Sequence, residues 1–170
     1  MSSLIEALKE ELYSPDYPGP CKDEISGLET ELYDDQKNVE RYVWGKTGYE
    51  LALGNRFNYF PRRIYMQDDD GNIVGEIKGI YDPESKMMVF TPSSDRSTRI
   101  HEYVHRAQDK LGILDRYPNW LIEGMATAAT EEITGEHQLS YPHETRITKR
   151  IVEKHGWNKV LQGKLPGMQN

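Results

Sequence analysis

The chain has 170 residues, of which 36% are hydrophobic and 29% are charged, with a formal net charge of -7 and one cysteine. This composition predicts a soluble globular protein whose core is large enough to fold without disulfide bonds. The acidic balance, without a run of lysine and arginine, argues against nucleic acid as a partner. Charges within the N-terminus and the lack of a long apolar run argue against a signal peptide and a membrane partner, so we expect a cytoplasmic location.

The first predicted element is a short amphipathic helix at residues 3–13, followed by a proline-rich linker that leads to Cys21. Leucine and isoleucine side chains share one face of this helix, and the prolines of the linker fix the backbone and lack an amide donor. We therefore divide the chain into an N-terminal arm at residues 1–23 and a folded domain at residues 24–170. The apolar face suits the arm to forming a homodimer or to covering part of the domain.

The folded domain begins and ends with predicted helices, which flank a β-rich segment. Apolar residues at helical spacing predict a helix at 24–43, which Gly45 and Gly48 end. Alternating patterns and turn sequences then predict three strands, at 63–66, 73–81 and 87–91. Three further helices are predicted, at 96–111, 120–133 and 144–155. The order of helix, small sheet and helices predicts an α+β fold.

The sequence HEYVH lies in the middle of the helix predicted at 96–111. Residues four apart lie on the same helix face one turn apart, so His101 and His105 can direct two imidazoles at one metal ion. Glu102 lies beside that face, where it can act as a general base on water at the ion. An ordinary helix with two solvated histidines and a glutamate has the same sequence, so the interpretation needs a further ligand.

A catalytic zinc site takes three protein ligands and leaves one position open. A third histidine six residues after His105 is excluded, because that position is Leu111. Glu123 lies in the following predicted helix, in NWLIEGMATAAT, whose small residues let two helices approach closely. The rival carboxylates are Asp109, which lies too far along the first helix, and Asp115, in a predicted loop. Glu123 is therefore the favoured third ligand.

HEYVH at 101–105 followed by WLIEGMA at 120–126 resembles the gluzincins, the zinc peptidase clan of thermolysin and the zinc aminopeptidases. Because the chain is short, it is most similar to the compact single-domain minigluzincins. The resemblance implies a zincin-like catalytic domain at 24–170, with a small mixed sheet, a backing helix, an active-site helix and a glutamate helix. It implies one zinc per chain on the histidine pair and Glu123, although cobalt and manganese accept the same ligands.

The resemblance also assigns residues around the metal. In the clan, the strand before the active-site helix pairs with the backbone of a peptide substrate, which by position implies Gly79, Ile80 and Tyr81. An ordinary exposed hairpin edge is the alternative. The donor that stabilises the oxyanion is expected at Tyr141, with His143 as its rival and surface packing of the tyrosine as the alternative.

Two departures from the clan bear on the site. Thermolysin-like sequences carry an aspartate one turn after the glutamate ligand, and this chain has Thr127 there. The Thr127 hydroxyl, Glu131 or a backbone carbonyl are the candidates to orient a ligating histidine. The acidic segment that holds a substrate amine in the aminopeptidases is replaced by KGIYD at 78–82, which favours an endopeptidase-like cleft.

These patterns together predict a zinc-dependent peptidase, which the arm or the tail at 162–170 keeps latent if either covers the cleft. The Cys21 thiolate in the open zinc position is a further way to achieve latency, although a lone cysteine is usually only a small packing residue. The alternatives are a gluzincin-fold interaction module that binds zinc without catalysis, and an interaction domain without a metal.

Overall fold

A computed structural model of the chain describes residues 22–167 except positions 55 and 139, with side chains from Gly27 onward. The helix expected at 3–13, the linker, Cys21 and the last three residues lie outside the described residues. The described part is an α+β structure of five helices and five strands. None of its helices has the length and apolarity needed to cross a membrane.

The first described helix, α1, spans Lys22–Thr47. It is longer than the sequence predicts, because it continues through Gly45 and ends before Gly48, whose φ of 73° lies in the left-handed region. A glycine inside a helix costs only about 0.5–1 kcal/mol relative to alanine, so packing of the neighbouring turns outweighs it. Leu32, Val39 and Val43 form the buried face of α1.

The five strands form two separate sheets. They are β1 (Phe57–Tyr59), β2 (Ile64–Gln67), β3 (Ile73–Ile77), β4 (Gly79–Asp82) and β5 (Met87–Phe90). One sheet has the order β1-β5-β4, with β1 parallel and β4 antiparallel to β5, and β2 and β3 form an antiparallel hairpin. Strand β4 therefore lies at the edge of the three-stranded sheet.

The prediction of one strand at 73–81 is wrong, because the segment breaks at Lys78 into β3 and β4. The Thr91 hydroxyl donates to the carbonyls of both Ile77 and Lys78, at 3.1 and 3.2 Å. Successive carbonyls of a regular strand point in opposite directions, so two that turn toward one side chain end the strand. Strand β1 was not predicted, because three residues are too few to show alternation.

The four remaining helices follow the sheets. They are α2 (Arg96–Lys110), α3 (Asn119–Thr134), α4 (Pro142–His155) and α5 (Trp157–Leu161). Asp95 caps α2, since its carboxylate accepts from the Thr98 amide at 2.8 Å. Gly135 ends α3 in the left-handed conformation, as the sequence predicts for a glycine after a helix. Helix α5 lies in the segment where no helix was predicted.

The main core lies between α1, α2, α3 and the inner face of the three-stranded sheet. Its fully buried members include Leu32, Met88, Phe90, Ile100, Tyr103, Leu121 and Met125. On the side of α2 that faces α1, the guanidinium of Arg99 forms an ion pair with the carboxylate of Asp35 at 2.7 Å, and both side chains are nearly inaccessible to solvent. This buried ion pair fixes α2 against α1 and leaves the opposite face of α2 for the histidines.

Candidate metal centre

His101 and His105 lie side by side on the face of α2 that points toward α3. Ile100, Tyr103 and Val104 bury the other side of this helix in the core, and this burial sets its rotation. The two imidazole rings have centroids 4.6 Å apart and are nearly perpendicular, at 81°. Their Nε2 atoms approach to 3.0 Å, and the side chains are only 17% and 13% exposed.

Glu123 in the second turn of α3 completes the group. Its Oε2 lies 3.3 Å from Nε2 of His101 and 3.3 Å from Nε2 of His105. The residues of α3 that follow Glu123 are mostly small, and Ala126 and Ala128 are fully buried. The small side chains let α3 lie close enough to α2 for a carboxylate to reach both rings. The ligand set favoured from sequence is therefore brought together.

The spacing of these three atoms fits a metal ion. Ligands about 2.05 Å from a tetrahedral ion lie about 3.3 Å from one another. The observed separations are 3.0, 3.3 and 3.3 Å. The described residues thus contain a His-His-Glu group that can hold a metal ion, and this geometry does not by itself distinguish zinc from other ions that accept nitrogen and oxygen.

Glu123 and His105 stabilise each other's charged forms. Burial acts to raise the pKa of Glu123, but hydrogen bonds with the two histidines and their charges outweigh it and lower the pKa to about 2. Burial acts to lower the pKa of His105, but the bond with Glu123 and the charge of Glu102 raise it. A proton on the imidazole and a metal ion therefore compete for the same nitrogen atom beside the Glu123 carboxylate.

Gln108 also contacts the histidine pair, and the sequence did not identify it. Its Oε1 lies 2.8 Å from Nδ1 of His105, and its Nε2 donates to the carbonyl of Ile122 at 2.9 Å. The side chain is completely buried. A signal was available, because a glutamine three residues after a ligating histidine lies on the same helix face.

Thr127 and Glu131, two side chains expected to orient a ligating histidine, do not contact the histidine pair. The Thr127 hydroxyl is buried and has no hydrogen-bond partner among the described residues. Glu131 accepts from the Gln138 amide at 2.8 Å and contacts His137 and Lys149. The expectation that either residue orients a histidine is therefore not met in this structure.

Glu102 is 8% exposed and lies between the histidine pair and strand β4. A Cβ atom at Gly79 would lie 3.2 Å from Cγ of Glu102 and 2.9 Å from Cγ2 of Thr98. Since contacts below 3.0 Å require a shift, a side chain at this position would push β4 away from α2. The absence of a side chain at Gly79 lets the edge strand lie directly beside the glutamate.

The backbone of β4 alternates between its partner strand and the open edge. The Thr91 amide donates to the Lys78 carbonyl at 3.1 Å, and Ile80 lies opposite Val89. Bonded and non-bonded pairs alternate in an antiparallel ladder, so the main-chain groups of Gly79 and Tyr81 point away from β5. Of the three residues expected to bind substrate, these two direct their backbone to the edge and Ile80 does not.

The rival carboxylates do not join the metal group. Asp109 accepts from the Tyr81 hydroxyl at 2.5 Å and from the Lys86 ammonium at 2.9 Å, so it links α2 to strand β4 and the turn after it. Asp115 is exposed in the loop between α2 and α3. Both are outside the group of described residues whose ligand atoms converge.

Tyr141 lies at the start of α4 in an unusual backbone conformation. Its φ of 49° and ψ of 48° are left-handed, which is costly for a bulky residue and is typical of constrained sites. Burial raises its pKa, and the charges of Glu123 and Glu102 raise it further. The side chain is nevertheless 44% exposed, so the charges of these two glutamates act on it through partly solvated surroundings. His143 is exposed and lies 3.4 Å from an Arg146 nitrogen.

Comparison of the chain with protein-family models, with curated proteins and with solved structures gives no significant match. The similarity to gluzincins therefore rests on the two motifs at 101–105 and 120–126.

Gly124 provides a test of how closely α4 must pack beside the third ligand. A Cβ atom at this position would lie 2.3 Å from Oγ1 of Thr148 and 2.8 Å from the Glu144 carbonyl oxygen. We expect Gly124→Ala to destabilise the fold by about 1–3 kcal/mol in urea denaturation, because backbone atoms of α4 must move. The matched control is Gly27→Ala in α1, where nothing lies within 4 Å. That change should stabilise the helix by about 0.5–1 kcal/mol, and equal effects of the two changes would contradict the packing argument.

Removal of the third ligand should remove the metal. We expect about one metal ion per native chain and little in Glu123→Ala, measured by elemental analysis after dialysis with zinc. Asp115→Ala is the control, since the exposed Asp115 lies outside the ligand group. Equal metal content in Glu123→Ala and the native chain would move the third ligand elsewhere.

Proposed function

We propose that this chain is a zinc-dependent peptidase of the gluzincin type, with an endopeptidase-like cleft. The observation that carries the proposal is the convergence of three ligand atoms at 3.0–3.3 Å with Glu102 buried beside them. A ligand group of two histidines and a glutamate, with a glutamate next to the first histidine, is the donor set of zinc hydrolases. Zinc is proposed over other ions because it accepts this mixed set in a tetrahedral geometry.

A zincin-like fold of the minigluzincin type is part of the same proposal. The order of elements supports it: a helix behind the site, a small mixed sheet with an antiparallel edge strand, the helix with both histidines, and the helix with Glu123. The edge strand lies against the histidine helix through Gly79. A peptide paired with this edge would lie next to the His-His-Glu group, which supports the proposal of peptide hydrolysis.

Glu102 is the general base in the proposed reaction. Bound zinc supplies Lewis acidity, which acidifies water and polarises a carbonyl group. Glu102 takes a proton from the water that attacks the peptide carbon, and it then passes a proton to the leaving amine. Burial of this side chain beside β4 limits its rotamers. Glu102 is not a ligand, so its role is separable from metal binding.

Tyr141 is the proposed donor to the carbonyl oxygen that gains negative charge. A tyrosine hydroxyl is protonated at neutral pH and can donate, and burial and then the charges of Glu123 and Glu102 raise its pKa further. Because its backbone is left-handed, the Tyr141 side chain leaves the start of α4 in a different direction from that of a residue with helical dihedral angles. Both side chains are exposed, and His143 is the weaker candidate because its Nδ1 lies 3.4 Å from an Arg146 nitrogen.

The proposed substrate is a peptide in extended conformation along the edge of β4. Main-chain groups of Gly79 and Tyr81 point to this edge and can pair with substrate amides and carbonyls. Asp82, the last residue of β4, accepts from the Glu84 amide at 3.2 Å and from the Ser85 hydroxyl at 2.5 Å. An acid engaged in its own turn does not hold a substrate amine, which supports internal cleavage over aminopeptidase activity.

The proposed base is tested with Glu102→Gln, which keeps the shape of the side chain and removes its basicity. We expect turnover of a quenched fluorescent peptide pool to fall at least about 100-fold, because general acid–base catalysis contributes that much. Zinc content should remain about one per chain, since Glu102 is not a ligand. Full activity in Glu102→Gln would overturn the peptidase mechanism, and zinc binding without activity in the native chain would favour a non-catalytic interaction module.

The oxyanion role is tested with Tyr141→Phe against His143→Ala. Loss of one oxyanion donor lowers kcat by about 100- to 1000-fold, so we expect Tyr141→Phe to show this loss with its zinc content unchanged. His143→Ala should keep native kcat because Nδ1 of this histidine is engaged with Arg146 at 3.4 Å. The reverse ranking of the two variants in peptide cleavage would assign the role to His143.

A further inference from the structure

We propose that Gln108 is the positioning residue of the metal centre, which selects the binding nitrogen of His105 and ties it to the helix that bears Glu123. The proposal rests on metal binding at this group and does not require peptide hydrolysis. Its basis is a continuous chain of two hydrogen bonds, from the His105 ring through the Gln108 amide to the Ile122 carbonyl.

The orientation of the Gln108 amide follows from its partners. A backbone carbonyl only accepts hydrogen bonds, so the end of the amide at 2.9 Å from the Ile122 oxygen must be the NH2 group. The other end, 2.8 Å from Nδ1 of His105, is then the carbonyl oxygen and must accept. Nδ1 of His105 therefore carries the proton of the neutral ring. Its Nε2 keeps a lone pair that points at the metal position.

The same amide connects the two helices that supply ligands. Ile122 is the residue directly before Glu123, so the Gln108 bond fixes the α3 backbone one residue from the third ligand. Gln108 is completely buried, and water does not compete for either bond. The spacing of α2 and α3 at the ligands is thus set by the chain before any ion binds.

An amide and a carboxylate at position 108 would act differently. A carboxylate is the stronger acceptor for the Nδ1 proton of His105, but it cannot donate to the Ile122 carbonyl. It would place negative charge against that oxygen. A methionine keeps the length of the side chain and makes neither bond. The two substitutions therefore separate the bond to the histidine from the bond between the helices.

The experiment compares Gln108→Met and Gln108→Glu with Gln36→Met as the matched control. Gln36 is a buried glutamine on α1 that donates to Glu40 at 2.7 Å, away from the metal group. Zinc dissociation constants are measured by competition with a chromophoric chelator. Loss of a partner that orients a ligating histidine weakens metal binding by about 10- to 100-fold, so we expect that loss in Gln108→Met. Gln36→Met should bind zinc as the native chain does.

Nitrogen NMR of the metal-free chain, at a pH where imidazole is neutral, gives a second readout. The native His105 ring should carry its proton on Nδ1, and Gln108→Met should show a mixture of the two tautomers. Gln108→Glu should keep the Nδ1 proton and bind zinc more tightly than Gln108→Met, but it should unfold at a lower temperature than the native chain. This rescue distinguishes positioning of the ring from a general effect on packing.

Two results would overturn the proposal. One is a native zinc dissociation constant in Gln108→Met, and the other is a proton on Nε2 of His105 in the native metal-free chain. If Gln108→Met does not fold, the comparison of Gln108→Glu with the native chain and the native tautomer still decide the question. A native chain that binds no zinc would overturn the metal centre itself, which is a different result from unchanged affinity in the variant.

Discussion

Three electron-rich atoms lie about 3 Å apart where α2 meets α3, and the rest of the site depends on this contact. Two imidazole nitrogens and a carboxylate oxygen repel one another unless a proton or a metal ion lies between them. The chain holds them there through packing on every side. The absence of a side chain at Gly124 lets α4 pack closely against α3, and the same absence at Gly79 lets β4 pack against α2. The Arg99–Asp35 ion pair holds the opposite side of α2 against α1. Packing of the surrounding helices and strands therefore supplies the free energy that offsets the repulsion among these three atoms.

The sequence predicted the helical parts of this arrangement because each carries its own local signal. HEYVH marks two residues on one helix face, and WLIEG marks a candidate ligand in the next helix. The rotation of α2 is set by its apolar face and could also be read from periodicity. The three atoms therefore meet where the motif spacing predicts, and Asp109 and Asp115 lie outside the group for the reasons that the sequence offered.

The parts that the sequence did not predict depend on contacts between distant segments. The break at Lys78 follows from a hydrogen bond that the Thr91 hydroxyl, thirteen residues later, donates to the Lys78 carbonyl. No local sequence pattern encodes this contact. In the sequence Gln108 looks like an ordinary polar residue of a helix. Only the folded structure shows that its amide binds both the His105 ring and the Ile122 carbonyl. Thr127 was a candidate by analogy with a carboxylate, but its short hydroxyl finds no partner among the described residues. Buried polar contacts of this kind are decided by three-dimensional proximity.

The break at Lys78 also affects how the protein behaves at high concentration. An exposed strand edge is a template for pairing with other chains, and the hazard grows with its length. An uninterrupted strand over 73–81 would present one continuous edge of about 30 Å, whereas β3 and β4 present separate edges of about 17 and 13 Å. A short edge accommodates a few residues of a passing peptide but is a poor nucleus for ordered aggregation. The two hydrogen bonds of the Thr91 hydroxyl therefore divide what would otherwise be a longer template for pairing with other chains.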